Sequence, residues 1–297
     1  MDQIDYAAAI KPISTAQLQQ LKDDDVLNET YHACFLTLLG AVAWLLQTRL
    51  DIVVYVSALQ RHSKHPTSLH LKRLNRLVRY MQRHPQKLVY RPLPLPVTLI
   101  AVGDSAYQAP SGSDTQSVAD PLVMRGYILA LAHFDERQKT YQLQVLEYAG
   151  GKQNHVCRGV WSAELHNQCD MADMGVILLS FLEDVRRGVQ RAEEHKRLRE
   201  SGGYAMQLHM FTDSYSIFSY LKAQHLKFPA EKGTYFHLAS LREMLVNGII
   251  SSYNWCDTRD MLADGMTKGR LDRDALVSVM HGKWKLEHAT ETHSEHA

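Results

Sequence analysis

The sequence predicts an α/β protein in which helices flank a mixed sheet and a small helical module precedes that sheet. Three observations support this fold class. Apolar residues recur at helical spacing before a proline-rich segment, RPLPLP at 91–96, and at strand spacing directly after it. Three strand-like segments then follow one another, and later strands alternate with helices. The proline-rich segment indicates a domain boundary, and the order of elements indicates a mixed sheet.

The part of the chain before this boundary is expected to be helical. Residues 1–30 are polar, and we interpret them as a lead-in to a helical module at 31–92. Three segments of the module have helical periodicity, namely residues 31–48, 51–62 and 67–84. Thr67 or Ser68 is a suitable N-cap for the third helix, because Pro66 ends the segment before it.

The part after the boundary, residues 93–284, is expected to contain the sheet. Strand patterns occupy five segments, which are 97–107, 124–134, 140–151, 206–214 and 248–258. Helical patterns occupy four segments, which are 161–186, 215–225, 234–247 and 261–282. The highly charged residues 187–202 predict a solvated helical extension or a loop. Residues 285–297 predict a disordered tail.

Charge is unevenly distributed along the chain, although the formal net charge is only +1. No Asp or Glu lies between Asp51 and Asp104, whereas nine Lys or Arg residues do. The helix predicted at 67–84 gathers five of them opposite its apolar stripe: Lys72, Arg73, Arg76, Arg79 and Arg83. A local basic surface in a neutral protein favours contact with nucleic-acid phosphates, and an ordinary solvated face is the alternative.

Four carboxylates occupy positions where predicted strands end or helices begin: Asp104, Glu164, Asp213 and Asp264. Side chains at such positions can converge at one edge of a sheet. Carboxylate oxygens without a neighbouring Cys or His pair suit Mg²⁺ or Mn²⁺ better than zinc. Two such ions would stabilise both the attacking water and the leaving oxygen of a phosphodiester. Any one of these acids alone is more often a turn residue or a helix cap, and only their combined order favours a metal site.

Two stretches of the chain resemble the C-terminal part of a copia-type retrotransposon polyprotein, in which the end of the reverse transcriptase (thumb and connection) precedes a ribonuclease H domain. Within residues 38–85 the family's motifs are matched by Thr48-Arg49, Asp51-Ile52, Pro66-Thr67, His70 and Arg79-Tyr80. Leu50 replaces the usual proline. The second stretch is the four-acid set, which closes with LADGMTK at 262–268, similar to the family's L-A-D-x-L-T-K.

The resemblance implies a ribonuclease H-like fold with a five-stranded mixed sheet and flanking helices. It implies that two Mg²⁺ ions bind the four acids and that water attacks the RNA strand of an RNA–DNA hybrid. The implied partners are that hybrid, which the basic helix would contact, and the polymerase part of the same polyprotein. No Y-x-D-D motif is present, so polymerase activity is not expected.

Some features depart from the family pattern and keep other functions open. SAYQ at 105–108 stands where the family has a small residue and a tryptophan, and insertions at 108–123 and 187–205 lengthen the gaps between the acids. A degenerate remnant that has kept the fold and a binding role is therefore one alternative. A nuclease acting on DNA is another, because one fold can host many substrates. The presence of all four acids favours the active hydrolase.

Composition excludes several other classes of protein. A hydrophobic fraction of 45% is too high for a wholly disordered chain. No run of 18 or more apolar residues is present, so no transmembrane helix is expected. Four cysteines without a C-x-x-C pair favour a reducing intracellular compartment, cytoplasmic or nuclear. His155 and Cys157, with His166 and Cys169 further on, match no standard zinc spacing, so metal binding there is a minor alternative.

Overall fold

The computed structural model describes residues 1–14, 21–108 and 122–296. Among these residues, seven strands form one mixed sheet. In chain order they are β1 (Thr98–Gln108), β2 (Leu122–Asp135), β3 (Thr140–Lys152), β4 (Leu208–Thr212), β5 (Ser252–Cys256), β6 (Lys283–Lys285) and β7 (Thr290–His293). Their order across the sheet is β6-β3-β2-β1-β4-β5-β7. The predicted α/β class with a mixed sheet is thus confirmed.

The strands run in both directions. β1, β2 and β3 form an antiparallel meander. β4 lies parallel to β1, and β5 lies parallel to β4. β6 and β7 are antiparallel additions at the two edges. Parallel neighbours need crossover connections: the chain passes from β1 through β2, β3, α5 and α6 to β4, and from β4 through α7 and α8 to β5.

The sheet is larger than the five strands expected from the sequence. β7 lies within residues 285–297, so the expectation of a disordered tail there was wrong. The segment is ordered because it pairs with the free edge of β5, where the Thr292 hydroxyl donates a hydrogen bond to Asn254 Oδ1 at 2.8 Å. A short polar strand carries no apolar alternation, so the sequence pattern does not reveal this edge pairing.

The described residues contain ten α-helices. They are α1 (Ile4–Ala9), α2 (Glu29–Trp44), α3 (Val53–Gln60), α4 (Ser68–Arg83), α5 (Val160–Arg187), α6 (Ala192–Ser201), α7 (Tyr215–Lys222), α8 (Tyr235–Val246), α9 (Asp264–Thr267) and α10 (Asp274–Met280). The charged insertion at 187–205 contains α6. Most of the other insertion, 108–123, lies outside the described residues.

Alternate residues of β1 contribute to two different cores, as the two-residue repeat of a strand requires. Leu99 and Ala101 pack against α5, α7 and α8. Ile100 and Val102 face the other side of the sheet and pack with α9 and α10. Both faces of the central strands are therefore covered, which explains why these strands are continuously apolar.

The helices before the sheet share a core of their own. Ala7, Ile10 and Leu27 are buried in it, so the described parts of residues 1–30 contribute to the module's packing and are not only a lead-in to it. Leu50, three residues before α3, and Val53, its first residue, belong instead to the core on the sheet. The module at 31–92 is thus packed against one face of the sheet through α3.

Several residues of the first matching stretch have clear structural roles. Arg49 Nε and Nη2 donate hydrogen bonds to the two carboxylate oxygens of Asp51, each at 2.8 Å, and both side chains are almost fully buried. The Tyr80 hydroxyl lies 3.4 Å from the same carboxylate. At the start of α4, the Thr67 backbone N–H donates to His70 Nδ1 at 3.0 Å and so caps the helix.

One helical segment among the described residues, Glu29–Gln47, is long and apolar enough to cross a membrane by length and composition alone. The core helix of a globular protein passes the same test. Five residues of this segment are buried in the helical module: Phe35, Leu38, Leu39, Val42 and Leu45. One side of this segment therefore contributes to the core of the helical module.

Candidate metal centre

The three candidate aspartates lie where β1 and β4 separate. The parallel pairing of β1 with β4 ends two residues before Asp104, and Asp213 follows directly after β4. Asp264 is the first residue of α9. The sequence pattern indicated that Asp104 lies at the end of its strand. β1 continues to Gln108, however, so Asp104 lies within the strand.

Asp104, Asp213 and Asp264 each place one carboxylate oxygen within 4.8 Å of the other two. Asp104 and Asp264 are buried, and Asp213 is half-buried. Among the described residues, no other group of three or more His, Cys, Asp or Glu side chains brings its ligand atoms this close. Three of the four acids singled out from the sequence therefore converge on one point.

A glycine in β2 lets α9 approach Asp104. Gly126 is the partner of Asp104 in the β1–β2 ladder. A Cβ atom at Gly126 would lie 2.8 Å from Met266 Cβ, so any larger residue would push α9 away from the sheet. The close approach also brings in Thr267, whose hydroxyl donates a hydrogen bond to Asp104 Oδ2.

Two amide side chains attach the first turns of α5 to β1. Asn167 Nδ2 donates to the Asp104 carbonyl at 2.9 Å, and Gln168 Nε2 donates to the preceding carbonyl at 3.1 Å. This attachment places Glu164 beside the aspartates, where its Oε1 accepts a hydrogen bond from the Ser105 backbone at 3.3 Å. Glu164 Oε2 is buried and has no hydrogen-bond partner among the described residues. Glu164 therefore lies next to the aspartate group and not within it.

Burial and mutual repulsion raise the pKa values of these carboxyl groups. Burial raises the pKa of Asp104 to about 6, and the charge of Asp264 acts in the same direction. Burial, followed by the charge of Asp104, raises the pKa of Glu164 well above its ordinary value. The same two causes raise the pKa of Asp213. Carboxylates this close remain ionised together only when a cation neutralises them.

Lys268 is a cation that the chain itself places at this site. Its ammonium group donates a hydrogen bond to Asp264 Oδ1 and lies 3.8 Å from Asp104 Oδ2. Sequence reasoning selected the acid of the LADGMTK motif but gave no role to Thr267 or Lys268. Both residues could have been selected from the sequence, because they belong to the same motif as Asp264.

The residues present fit a hard divalent cation. All the converging ligand atoms are carboxylate oxygens, which Mg²⁺ and Mn²⁺ prefer. The unpartnered Glu164 Oε2 supplies a further acceptor that is buried and unused. Asp104, Asp213 and Asp264 would hold the ion, and Glu164 is the available fourth carboxylate.

The basic residues predicted on α4 are found on its outer face. Arg73, Arg76, Arg79 and Arg83 are exposed. Lys72 is less available, because it forms an ion pair with Asp23 at 2.8 Å. Among the described residues, the four arginines take part in no ion pair, so these five residues form a surface of four unpaired guanidinium groups and one paired lysine.

The loop after α9 connects this basic surface with the carboxylates. Arg270, two residues after Lys268, lines the same cavity as Arg73 and Arg76. The Tyr55 hydroxyl donates a hydrogen bond to the Gly269 carbonyl at 2.9 Å and holds the loop against α3. No local sequence pattern predicts that Arg270 lies beside α4.

A scan against protein-family models and a search of the curated proteins each gave no match to this chain. The fold and the site define the class only broadly. It is an α/β protein with a mixed sheet and a buried group of three aspartates that could bind a metal ion.

Proposed function

We propose that the chain is a metal-dependent endonuclease that hydrolyses the RNA strand of RNA–DNA hybrids, as the ribonuclease H part of a copia-type retrotransposon polyprotein. The observation that carries this proposal is the convergence of Asp104, Asp213 and Asp264 within 4.8 Å, with Glu164 beside them. Four acids from distant parts of the sequence are unlike the solvated acids of an ordinary surface, because burying them together is costly without a cation.

The fold is compatible with this proposal. The inner strands β3, β2, β1, β4 and β5 correspond to the five strands expected for a ribonuclease H-like sheet, and helices cover both faces. β6 and β7 are additions at the edges. The proposed substrate class rests on the likeness of the LADGMTK segment and the order of the acids to the copia-type pattern.

Each part of the site has a role in the proposed reaction. Bound divalent metal supplies a polarised water and charge neutralisation for phosphodiester hydrolysis. Asp104, Asp213 and Asp264 hold the cation, and the second turn of α5 positions Glu164 through Asn167. The exposed arginines of α4 bind the phosphate backbone and contribute affinity without base recognition.

The decisive experiment is cleavage of an end-labelled RNA–DNA hybrid with and without Mg²⁺. Wild-type protein should cut the RNA strand only with the metal, and Asp104→Asn or Asp264→Asn should abolish cutting. Asp24→Asn is the matched control, because Asp24 is exposed and lies in a turn before α2, outside the sheet. Metal-dependent cleavage that survives Asp104→Asn would exclude this site. Cleavage of duplex DNA at the same rate would exclude the proposed substrate.

A catalytically inactive remnant that binds nucleic acid is the second candidate, and one observation favours it. Lys268 already pairs with Asp264 and approaches Asp104, so part of the carboxylate charge is neutralised without a metal. For such a remnant the same assay would give hybrid binding without metal-dependent cleavage.

A further inference from the structure

A second group of ligand-type side chains lies on the α5–α8 side of the molecule. His155 lies in the connection between β3 and α5, His166 in the second turn of α5, and His237 in α8. The ring centroids of His155 and His166 are 4.6 Å apart, and those of His166 and His237 are also 4.6 Å apart. The third pair, His155 and His237, is separated by 6.4 Å. Three imidazoles from separate elements thus share one site.

His166 is central to this group and incompletely satisfied. Its side chain is only 8% exposed. Its Nδ1 is buried and has no hydrogen-bond partner among the described residues. A buried polar atom without a partner is costly, and a ligand that accepts its lone pair removes that cost.

A carboxylate accompanies the histidines. Asp170 Oδ1 lies 3.6 Å from His155 Nε2, while its Oδ2 accepts a hydrogen bond from Arg125. Histidine ligands of metals commonly present their second ring nitrogen to a carboxylate, which fixes the ring's orientation. Asp170 is placed to do this for His155.

Another histidine pair in the same molecule lacks these properties. His62 and His70 stack with centroids 3.9 Å apart. However, His70 Nδ1 already accepts a hydrogen bond from Thr67 at 3.0 Å, and the charges of Arg61 and Arg73 act on the pair. Stacking alone therefore does not indicate a metal site. The group of His155, His166 and His237 differs from this pair in its unpartnered nitrogen, its third ring and its neighbouring carboxylate.

We infer that His155, His166 and His237 form a binding site for one divalent transition-metal ion of the Zn²⁺ class, with Asp170 orienting His155. Imidazole nitrogens suit Zn²⁺, and a set of three histidines is an established arrangement of zinc ligands. Among the described residues these three histidines do not bring one ring nitrogen each within 4.8 Å of one another, so binding requires the rings to turn. His155 has the room to turn, because its side chain is 46% exposed.

Such an ion would link three elements that the sequence keeps far apart. It would join the β3–α5 connection to α5 and α8. His166 lies two residues after Glu164, so the link would also fix the start of the helix that carries Glu164. The spacing of His155 and His166 alone gives no standard zinc pattern, since the third ligand lies about 70 residues further along the chain.

The test is calorimetric titration of the full chain with Zn²⁺ in the presence of excess Mg²⁺. One Zn²⁺ should bind per chain. The double variant His155→Asn and His237→Asn should lower the Zn²⁺ affinity by more than about 100-fold, because it removes two ligands, and losing even an outer partner typically costs 10–100-fold. The matched control is His65→Asn with His225→Asn, which removes two exposed histidines elsewhere and should leave Zn²⁺ binding unchanged.

Two further arms make the result unambiguous. Asp104→Asn with Asp264→Asn should retain Zn²⁺ binding, which separates this site from the carboxylates. His155→Asn alone changes a half-exposed side chain, so it tests the site even if the double variant fails to fold; circular dichroism checks the fold of each. Co²⁺ added to the wild type should give visible absorption bands that Zn²⁺ removes. Zn²⁺ binding that is unchanged in both histidine variants, or lost only in the aspartate variant, would overturn the inference.

Discussion

Replacing Asp104 by Asn should stabilise the metal-free protein at neutral pH. The Asp104 carboxylate is buried beside Asp264, so its negative charge is unfavourable in the folded state when no metal is bound. Asparagine has nearly the same shape and keeps an oxygen that can accept the hydrogen bond from Thr267. The substitution therefore removes a charge with little change in packing.

The raised pKa gives the size of the effect. Burial and the charge of Asp264 raise the pKa of Asp104 from 3.8 to about 6. A difference of about 2 pKa units corresponds to roughly 3 kcal/mol between the two protonation states. At pH 7.5 the variant should thus gain up to about 3 kcal/mol in its free energy of unfolding, which raises the melting temperature by roughly 6–10 °C.

The direction of the pKa shift determines how the free energy of unfolding changes with pH. An acid whose pKa is higher in the folded state binds its proton more tightly there than in the unfolded state. The metal-free wild type should therefore lose stability as the pH rises from about 4 to about 6, and Asp104→Asn should lose less. At the lower end of that window, near pH 4, little of the difference has developed, so wild type and variant should melt at nearly the same temperature.

The difference in melting temperature between wild type and variant is measured by circular dichroism during heating. The measurement is made in chelator and in Mg²⁺, at pH 4 and at pH 7.5. Mg²⁺ should raise the melting temperature of the wild type, because it binds the folded state. It should do little for Asp104→Asn, and Asp24→Asn should behave like the wild type. A variant that is less stable than the wild type at pH 7.5 in chelator, or equally stabilised at both pH values, would refute the assignment of Asp104 as a strained metal ligand.

Three further predictions concern other parts of the molecule. Alanine substitution of three exposed arginines on α4 should weaken hybrid binding and reduce its log–log salt dependence by about one unit per lost phosphate contact, measured by fluorescence anisotropy. The three positions are Arg73, Arg76 and Arg83, and an unchanged slope would make this an ordinary solvated face. Arg49→Met should cost about 3–5 kcal/mol in urea unfolding, because it leaves Asp51 buried without its partner; a change below 1 kcal/mol would contradict this. Ending the chain after His288 should lower the melting temperature and promote aggregation in light scattering, because it opens the edge of β5; unchanged melting would show that β7 adds nothing.

Much of the sheet could be predicted from the sequence because its strands are long or fully apolar. The segments read as strands at 97–107, 124–134 and 140–151 correspond closely to β1, β2 and β3. β6 and β7 could not be predicted, since they are three and four residues long and depend on pairing with distant edges. Local periodicity carries no information about which edge is left open.

The candidate site, too, could be predicted from the sequence only in part. The acids could be selected because strand ends and helix starts are recognisable along the chain. Three features could not be predicted from the sequence: the position of Asp104 inside β1, the glycine that lets α9 approach it, and the position of Lys268 between two carboxylates. These features depend on how α9 lies across β2, and no local pattern specifies that arrangement. His237 was missed for the same reason, because only tertiary packing brings it to His166.

The two stretches that resemble the copia-type pattern support different conclusions. In the first, Arg49 and Asp51 form a buried ion pair, and Thr67 and His70 cap α4. Both contacts stabilise the fold whether or not the chain is active, so they say little about catalysis. In the second, the LADGMTK segment supplies Asp264 and two residues that contact the carboxylates, and none of these contacts is needed to complete the apolar core. A decayed copy has no reason to keep four mutually repelling acids, whereas a working hydrolase must keep them. The second stretch therefore carries the case for activity, and the behaviour of Asp104→Asn in metal and in chelator tests it directly.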